Sequence, residues 1–293
     1  MKVLRSPHEA EPAERAVAIG TFDGVHRGHR VVIETARATG LRSTVVTFDP
    51  HPRLVLGYEV QLLAPFERRL ELLATTPTDE TLVVEFDADL SRLAPEEVVA
   101  RVLQPIGARI VVAGEGFRFG AGRRGDVDLL RRLGLDVRPV PLLEGVSSSR
   151  IRELLRGGAV RDAAALLGRP PEVEGVVVAG DQRGGTLGFP TANVAVSPNL
   201  IVPAHGIYAG EAVVAAGERY RTALSIGVNP HYGGVERRIE AFLLDFVGDL
   251  YGSRLRLELW ERLRDERAFS SEAELVEQIA RDVEAAQAAH PPA

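Results

Sequence analysis

Two histidines in the run Ala18 to Arg30, AIGTFDGVHRGHR, have the spacing best suited to phosphate chemistry. The run starts apolar, as in a strand, is interrupted by glycines, and continues into a segment that can open a helix. His26 and His29 are three residues apart, so if the helix begins near Gly24 both imidazoles lie on one face of its first turn, beside unpaired backbone N–H groups. Such helix starts attract phosphate, and Gly28 leaves room for a nucleotide. The pattern predicts an ATP site; the alternative is a pair of solvated or capping histidines.

Three further polar segments follow predicted strands, where parallel sheets collect their ligands. The first, Asp49 to Arg53, is stiffened by two prolines and presents His51, although such a loop is often only a turn. The second, Gly114 to Asp126, is glycine-rich, and its Phe117 and Phe119 suit a planar ring unless the loop is simply mobile. The third, Val146 to Leu155, places serines before a helical pattern, which predicts an N-cap and a second phosphate site.

The segment Gly180 to Asn193, GDQRGGTLGFPTAN, carries the chemistry of the second half. Its glycines allow backbone amides to approach a phosphate. Thr191 and Asn193 supply neutral oxygens, which Mg²⁺ accepts together with phosphate and water. The alternative is a structural turn.

Glu240 lies in a strand-like run, RRIEAFLLDF. Alternation predicts Glu240, Phe242 and Leu244 on one face, and a carboxylate on an apolar face needs a partner or a function. One such function is to accept a hydroxyl proton during phosphoryl transfer. The alternative is a salt bridge through Arg237 or Arg238.

The elements that must position these residues differ between the two halves. In the first half, short β-branched runs alternate with helical stretches, which predicts a parallel, doubly wound sheet; the runs are 43–48, 82–86, 110–113 and 137–142, with helices at 65–74 and 95–103. A short helix is predicted at 157–167, and the sequence GRPP that follows ends it. We place the domain boundary there, which gives domains 1–168 and 169–293. The second half predicts an antiparallel barrel followed by one helix, Ser271 to Ala286; its strand-like runs are 173–178, 206–214, 222–228, 239–246 and 254–259.

Composition restricts the kinds of function. The net charge of −6 argues against nucleic acid as the main partner, because phosphate backbones are held by basic surfaces. Cysteine is absent, so thiol chemistry and disulfides are excluded, and a reducing cytoplasm is compatible. Lys2 is the only lysine, so a phosphate clamp must use arginine, histidine, backbone or metal. No run suits a signal peptide or a membrane span, and we expect a soluble, cytoplasmic protein of unspecified oligomeric state.

Nine motifs in series resemble the bifunctional bacterial riboflavin kinase and FAD synthetase family over nearly the whole chain. They are GTFDGVHRGH, FDPHP, FRFGAGRRGD, SSSRIR, LGRP, RGGTLGFPTAN, HGIYAG, IEAFLLDF with GDLYG, and LRDERAFSSEAELVEQI. The resemblance implies an N-terminal FMN adenylyltransferase with a Rossmann-like nucleotidyltransferase fold and a C-terminal six-stranded riboflavin kinase barrel. The substrates would be riboflavin, FMN and ATP, with Mg²⁺ serving both reactions and FAD as the final product.

The resemblance also implies roles for individual residues. In the first domain His26 and His29 would stabilise the adenylyl-transfer transition state; ATP would be bound by Phe22, Gly28, Ser149 and Arg152, and the flavin by His51 and Phe117. In the kinase domain Glu240 would be the base; Gly188 and Pro190 would contact ATP, and Thr191 and Asn193 would hold Mg²⁺.

Two departures from the family pattern bear on function. Gly116 stands where members commonly carry Asn or Asp, which weakens the expectation of FAD synthesis. His231, before Tyr232, replaces the threonine of a Pro-Thr-Phe run. One alternative is therefore a riboflavin kinase with an impaired adenylyltransferase domain. Others are a flavin-binding regulator without catalysis, and nucleotidyl transfer to another phosphorylated compound, which fits the first half only.

Overall fold

The computed structural model describes residues 1–180, 187–215, 217–231 and 234–292, without the side chains of 228–237. The chain divides into two compact units, Met1–Val60 with Phe66–Ser147, and Gln61–Pro65 with Ser148–Ala293. The residues from 148 to 168 thus cluster with the second unit, although the sequence prediction assigns them to the first domain. The functional boundary at 168/169 stays a prediction.

The first unit is built on a six-stranded parallel sheet in the order β1-β4-β3-β2-β5-β6. The strands are β1 (Lys2–Leu4), β2 (Arg15–Ile19), β3 (Arg42–Asp49), β4 (Glu80–Glu85), β5 (Ala108–Gly114) and β6 (Asp136–Val140). The helices are α1 (Arg27–Arg37), α2 (Pro52–Val55), α3 (Phe66–Ala74), α4 (Ala88–Arg92), α5 (Pro95–Val98) and α6 (Val127–Arg132). A π-helical turn, Val99–Leu103, continues α5. The predicted doubly wound α/β architecture is confirmed; the short strand β1 was not predicted.

The strand order reverses around β2, which pairs with β3 on one side and β5 on the other. Doubly wound sheets bind their ligands beyond the carboxyl ends of the strands at this reversal. The histidine pair follows β2 directly, so the topology places it at the position where a nucleotide is expected.

A buried ion pair stabilises the first unit. Arg15 is fully buried; its Nε donates to Glu80 Oε1 at 2.5 Å and its Nη1 donates to the carbonyl of Ile106 at 2.6 Å. Removing one partner of such a pair leaves an uncompensated charge in the interior. We expect Glu80→Ala to lower the free energy of unfolding by about 3–5 kcal/mol in urea titrations. Glu85→Ala, at the exposed end of β4, is the control, and equal midpoints for the two variants would contradict the prediction.

The second unit contains a closed antiparallel barrel in the order β10-β11-β8-β7-β12-β9. Its strands are β7 (Glu172–Val178), β8 (Ala192–Ala195), β9 (Gly206–Val213), β10 (Arg219–His231), β11 (Gly234–Leu243) and β12 (Arg254–Arg264). The barrel and its terminal helix confirm the predicted second architecture. The sequence pattern overlooked β8, because four residues are too few to display an alternation. Helices α7 (Ser148–Arg156) and α8 (Val160–Leu167) share the apolar core of this unit.

The terminal helix α9 (Glu272–Ala288) begins where predicted, with Ser271 as its N-cap. Arg264 holds it to the barrel through Asp282, with Nη2 and Oδ2 2.6 Å apart. Trp260 packs with Ala286 and Ala289 on the same face. Among the helices that the structure describes, none is both long and apolar enough to cross a membrane.

Candidate functional sites in the two units

The two histidines of the first unit form a stacked pair at the start of α1. Their ring centroids are 3.6 Å apart with 14° between the ring planes. The helix begins at Arg27, so His26 is the N-cap, and its Nδ1 accepts a hydrogen bond from the backbone N–H of His29 at 3.3 Å. The capping alternative is therefore realised for His26. It does not compete with phosphate binding, because the capping contact uses only one of the two ring nitrogens.

The capping contact fixes the tautomer of His26. A ring nitrogen that accepts carries no proton, so the N–H of a neutral His26 lies on Nε2. Burial and the neighbouring His26 lower the pKa of His29 well below 6.5, so the imidazole of His29 is neutral at pH 7. A neutral imidazole keeps one ring N–H that can donate. Gly28 has a further role here, since a Cβ at this position would lie 3.3 Å from the ring of His26.

The turn before α1 has an unusual backbone conformation. Phe22 and Val25 have φ values of 50° and 40°, a left-handed region that costs energy for residues other than glycine. Phe22 is buried, and its ring meets His29 edge to face with centroids 5.2 Å apart. Strained backbone of this kind concentrates at binding and catalytic sites. The predicted ATP contact of Phe22 is untested, but its ring orients His29.

The lowered pKa of His29 gives a pH-dependent stability. The unfolded chain takes up a proton at this imidazole as the pH falls below about 6.5, whereas the folded chain resists it, so stability is lost as the pH falls. Between pH 7.5 and pH 5.5, we expect the free energy of unfolding to fall by up to about 1.4 kcal/mol more in the wild type than in His29→Phe. Urea titrations at both pH values measure the difference. Identical pH slopes for the two proteins would contradict a neutral His29.

The other predicted residues of the first unit lie in two loops. His51 is 5% exposed and caps α2, its Nδ1 accepting from the Arg53 N–H at 3.2 Å. Phe117 stacks on Phe119 with centroids 5.6 Å apart, so the two rings contact each other and present an aromatic surface rather than a slot. Gly116 is exposed, and a Cβ there would meet nothing within 4 Å. The flavin contacts of His51 and Phe117 stay predictions.

Ser149 and Arg152 both lie on α7 and belong to the second compact unit. Ser149 is exposed, whereas Arg152 is buried and its Nε donates to the carbonyl of Gln61 at 2.5 Å. Both partners of this hydrogen bond lie in the second compact unit. The prediction that both side chains hold ATP phosphates is untested.

In the barrel, strand register places the two predicted kinase groups side by side. Glu240 of β11 is directly opposite Asn193 of β8, and on its other side it is opposite Ser225 of β10. Directly opposite residues of an antiparallel pair point to the same face. Asn193, Glu240 and Ser225 therefore form a row across three strands, with Thr191 two residues from Asn193.

Glu240 is partly exposed and paired. Arg238 Nη2 lies 2.5 Å from Glu240 Oε1, so the salt-bridge alternative is realised. The prediction of an apolar face needs correction: the core face of β11 consists of Ile239, Ala241 and Leu243, and Glu240 points the other way with Phe242.

The described part of the turn before β8, residues 187–191, contains one glycine with a left-handed backbone conformation. Gly188 adopts φ +84° and is exposed like Pro190, while Thr191 and Asn193 are partly buried. A Cβ at Gly180 would collide with the amide of Asn193, so the glycine allows this amide its position. Hydroxyl and amide oxygens beside a carboxylate fit Mg²⁺ shared with phosphate. Residues 181–186, Tyr232 and the side chains of Arg237 and His231 lie outside the described residues.

Sequence reasoning missed several neighbours of these groups. Ser225 beside Glu240 was overlooked because only strand register reveals it. Phe189 meets Phe242 edge to face at 5.5 Å, which links the loop to the Glu240 face of β11. In the first unit, Arg69 is 3% exposed, and the helical pattern of residues 65–74 gave no sign of a buried arginine.

The histidine pair at a helix start of the parallel α/β unit, and the carboxylate opposite Asn193 in the barrel, suit a transferase that acts on phosphate groups. Models of known families match both parts, riboflavin kinase over residues 167–290 and FAD synthetase over residues 8–149.

Known relatives match nearly the whole chain. The chain is 36% identical to the bifunctional riboflavin kinase/FMN adenylyltransferase of Bacillus subtilis (strain 168), and the match covers 95% of this chain and 94% of that protein. For the enzyme of the same name in Escherichia coli (strain K12), the identity is 35% and the coverage 96% of each chain. A crystal structure described as a macrolide-efflux protein from Streptococcus pneumoniae shares the fold, with a TM-score of 0.88, 30% identity and 98% of both chains covered. The chain belongs to the bifunctional riboflavin kinase/FMN adenylyltransferase family.

Proposed function

We propose specific roles for the residues of this bifunctional transferase of flavin biosynthesis. The enzyme phosphorylates riboflavin to FMN and adenylylates FMN to FAD, using ATP in both reactions. The observation that carries the assignment of sites is that each unit has its own phosphate-suited constellation: the stacked histidine pair in one, and the Glu240–Asn193 register pair in the other.

In adenylyl transfer, an FMN phosphate oxygen attacks the α-phosphorus of ATP, and the bond to the leaving pyrophosphate breaks. Negative charge increases on the α-phosphate oxygens as the transition state forms. His26 Nε2–H and the neutral His29 donate to these oxygens from fixed positions, and fixed donors stabilise charge without reorganisation. Phe22 orients His29. Ser149 and Arg152 are proposed to bind ATP phosphates.

In the kinase reaction, the 5′-hydroxyl of riboflavin attacks the γ-phosphorus of ATP, its proton passes to Glu240, and ADP leaves. Arg238, whose Nη2 lies 2.5 Å from Glu240 Oε1, holds the carboxylate in place for this step. Gly188 and Pro190 are proposed to contact ATP. Thr191 and Asn193 would hold Mg²⁺, which when bound neutralises charge on the phosphates.

The experiment that tests both roles is a timed incubation of pure protein with riboflavin, ATP and Mg²⁺, with the flavins separated by chromatography. FMN should appear first and FAD after it. Absence of both products would overturn the proposed function. A matched incubation that starts from FMN measures the second reaction alone.

A second candidate is a riboflavin kinase with an impaired adenylyltransferase unit, which the exposed Gly116 favours. It predicts that FMN accumulates and that added FMN is never adenylylated. Space is available for Asn at this position, so a Gly116→Asn variant that gains FAD synthesis would support this second candidate. The cytoplasm is the proposed location of the enzyme, since a chain without cysteine is compatible with a reducing compartment.

A further inference from the structure

Arg69 is a buried arginine that joins two loops of the first unit. Its Nη1 donates to the carbonyl of Thr21 at 3.1 Å, and its Nη2 donates to the carbonyl of Phe48 at 2.8 Å. Nη2 also lies 3.5 Å from Asp49 Oδ1. Thr21 follows β2, while Phe48 and Asp49 end β3, and these two strands are neighbours in the sheet. One guanidinium therefore spans the carboxyl ends of two adjacent strands.

Each loop that Arg69 holds continues directly into a group assigned to the adenylyl-transfer site. Thr21 precedes Phe22, whose φ is positive and whose ring meets His29. Asp49 is two residues before His51, the N-cap of α2. Thr47 Oγ1 donates to the carbonyl of Thr21 as well, at 3.1 Å, so this carbonyl is held from two sides.

Packing of the apolar side chains of α3 does not by itself explain the burial of Arg69. Leu72 and Leu73 provide the buried apolar side chains of α3, and burying a guanidinium costs free energy that its contacts must offset. The contacts that do so include two backbone carbonyls and the ring of Phe66, whose centroid lies 5.1 Å from the guanidinium carbon, with Asp23 and Asp49 supplying nearby negative charge. The planar guanidinium of arginine carries several N–H donors in fixed directions, so it can donate to two separated acceptors at once. A lysine ammonium is a compact group and does not reproduce this geometry.

We propose that Arg69 is a positioning residue for adenylyl transfer, which holds the Thr21–His26 and Asp49–His51 loops in one fixed relative geometry. The inference rests on the adenylyl-transfer function proposed for the first unit. Arg69 acts through the backbone: its loss lets Phe22 relax, and His29 then departs from the position that the reacting phosphate requires. Small misplacements of this kind reduce turnover strongly.

The test compares Arg69→Met and Arg69→Lys with the wild-type enzyme. We expect kcat for adenylyl transfer to fall about 100-fold in Arg69→Met and about 10-fold in Arg69→Lys, with KM for ATP little changed. The riboflavin kinase rate of the same preparations is the internal control and should be unchanged. A wild-type kcat in either variant overturns the proposal.

A stability control separates positioning from loss of folded protein. Leu72→Ala removes a buried side chain from the same helix without touching either carbonyl, and all rates are measured below the first unfolding transition. An equal fall in kcat for Leu72→Ala overturns the proposal. If Arg69→Met does not fold, the Arg69→Lys result decides. Absence of adenylyl transfer in the wild type would overturn the proposed function instead, so the two failures are distinguishable.

Discussion

Glu240→Gln should lower the riboflavin kinase rate by about 10²–10⁴-fold, the contribution typical of a general base. The amide keeps the size of the side chain and its place opposite Asn193, but it cannot accept the hydroxyl proton. Binding should change little, so the loss should appear in kcat. The measurement is FMN formation from riboflavin and ATP, with adenylyl transfer from added FMN as the internal reference.

Two controls test whether the loss belongs to the base. Glu261→Gln makes the same substitution at a barrel carboxylate that is paired with Arg161, and it should leave both activities unchanged. Arg238→Met removes the ion-pair partner of Glu240 and leaves the carboxylate in place. We expect Arg238→Met to retain more activity than Glu240→Gln. The base assignment is wrong if Glu240→Gln keeps wild-type kinase activity.

His29→Ala should reduce adenylyl transfer by about 10²–10³-fold, the effect of removing one fixed donor from a charged transition state. The substitution also removes the ring that His26 stacks on. Formation of FMN from riboflavin should be unaffected, because the carboxylate assigned to that reaction lies in the other compact unit. A chromatographic time course that follows FMN and FAD together measures both rates in one sample.

An exposed histidine provides the matched control for this prediction. His8→Ala, in a short turn near the start of the chain, should leave both rates unchanged. His29→Asn retains an N–H donor and should recover part of the lost activity. Equal loss of both activities in His29→Ala would show that the two reactions share one site, and an unchanged FAD rate would remove His29 from the mechanism.

The sequence predicted the fold class well because hydrophobic periodicity is a local property. The β-branched runs of the first unit and the helix after Ser271 are strong patterns that tertiary contacts did not override. The prediction missed the strands β1 and β8, which are too short to show a hydrophobic pattern. Alternation identified the faces of β11, but it could not decide which face is buried, since that depends on what packs against it.

The histidine spacing and the Thr–Asn pattern were determined by the sequence alone, because residues two or three positions apart are held close together by the chain itself. Contacts between distant segments were decided only by tertiary structure. Strand register brings Asn193, Ser225 and Glu240 into one row, and parallel pairing of β2 with β3 lets Arg69 reach two carbonyls. Such contacts depend on pairing between strands far apart in the chain, and no local pattern encodes that pairing.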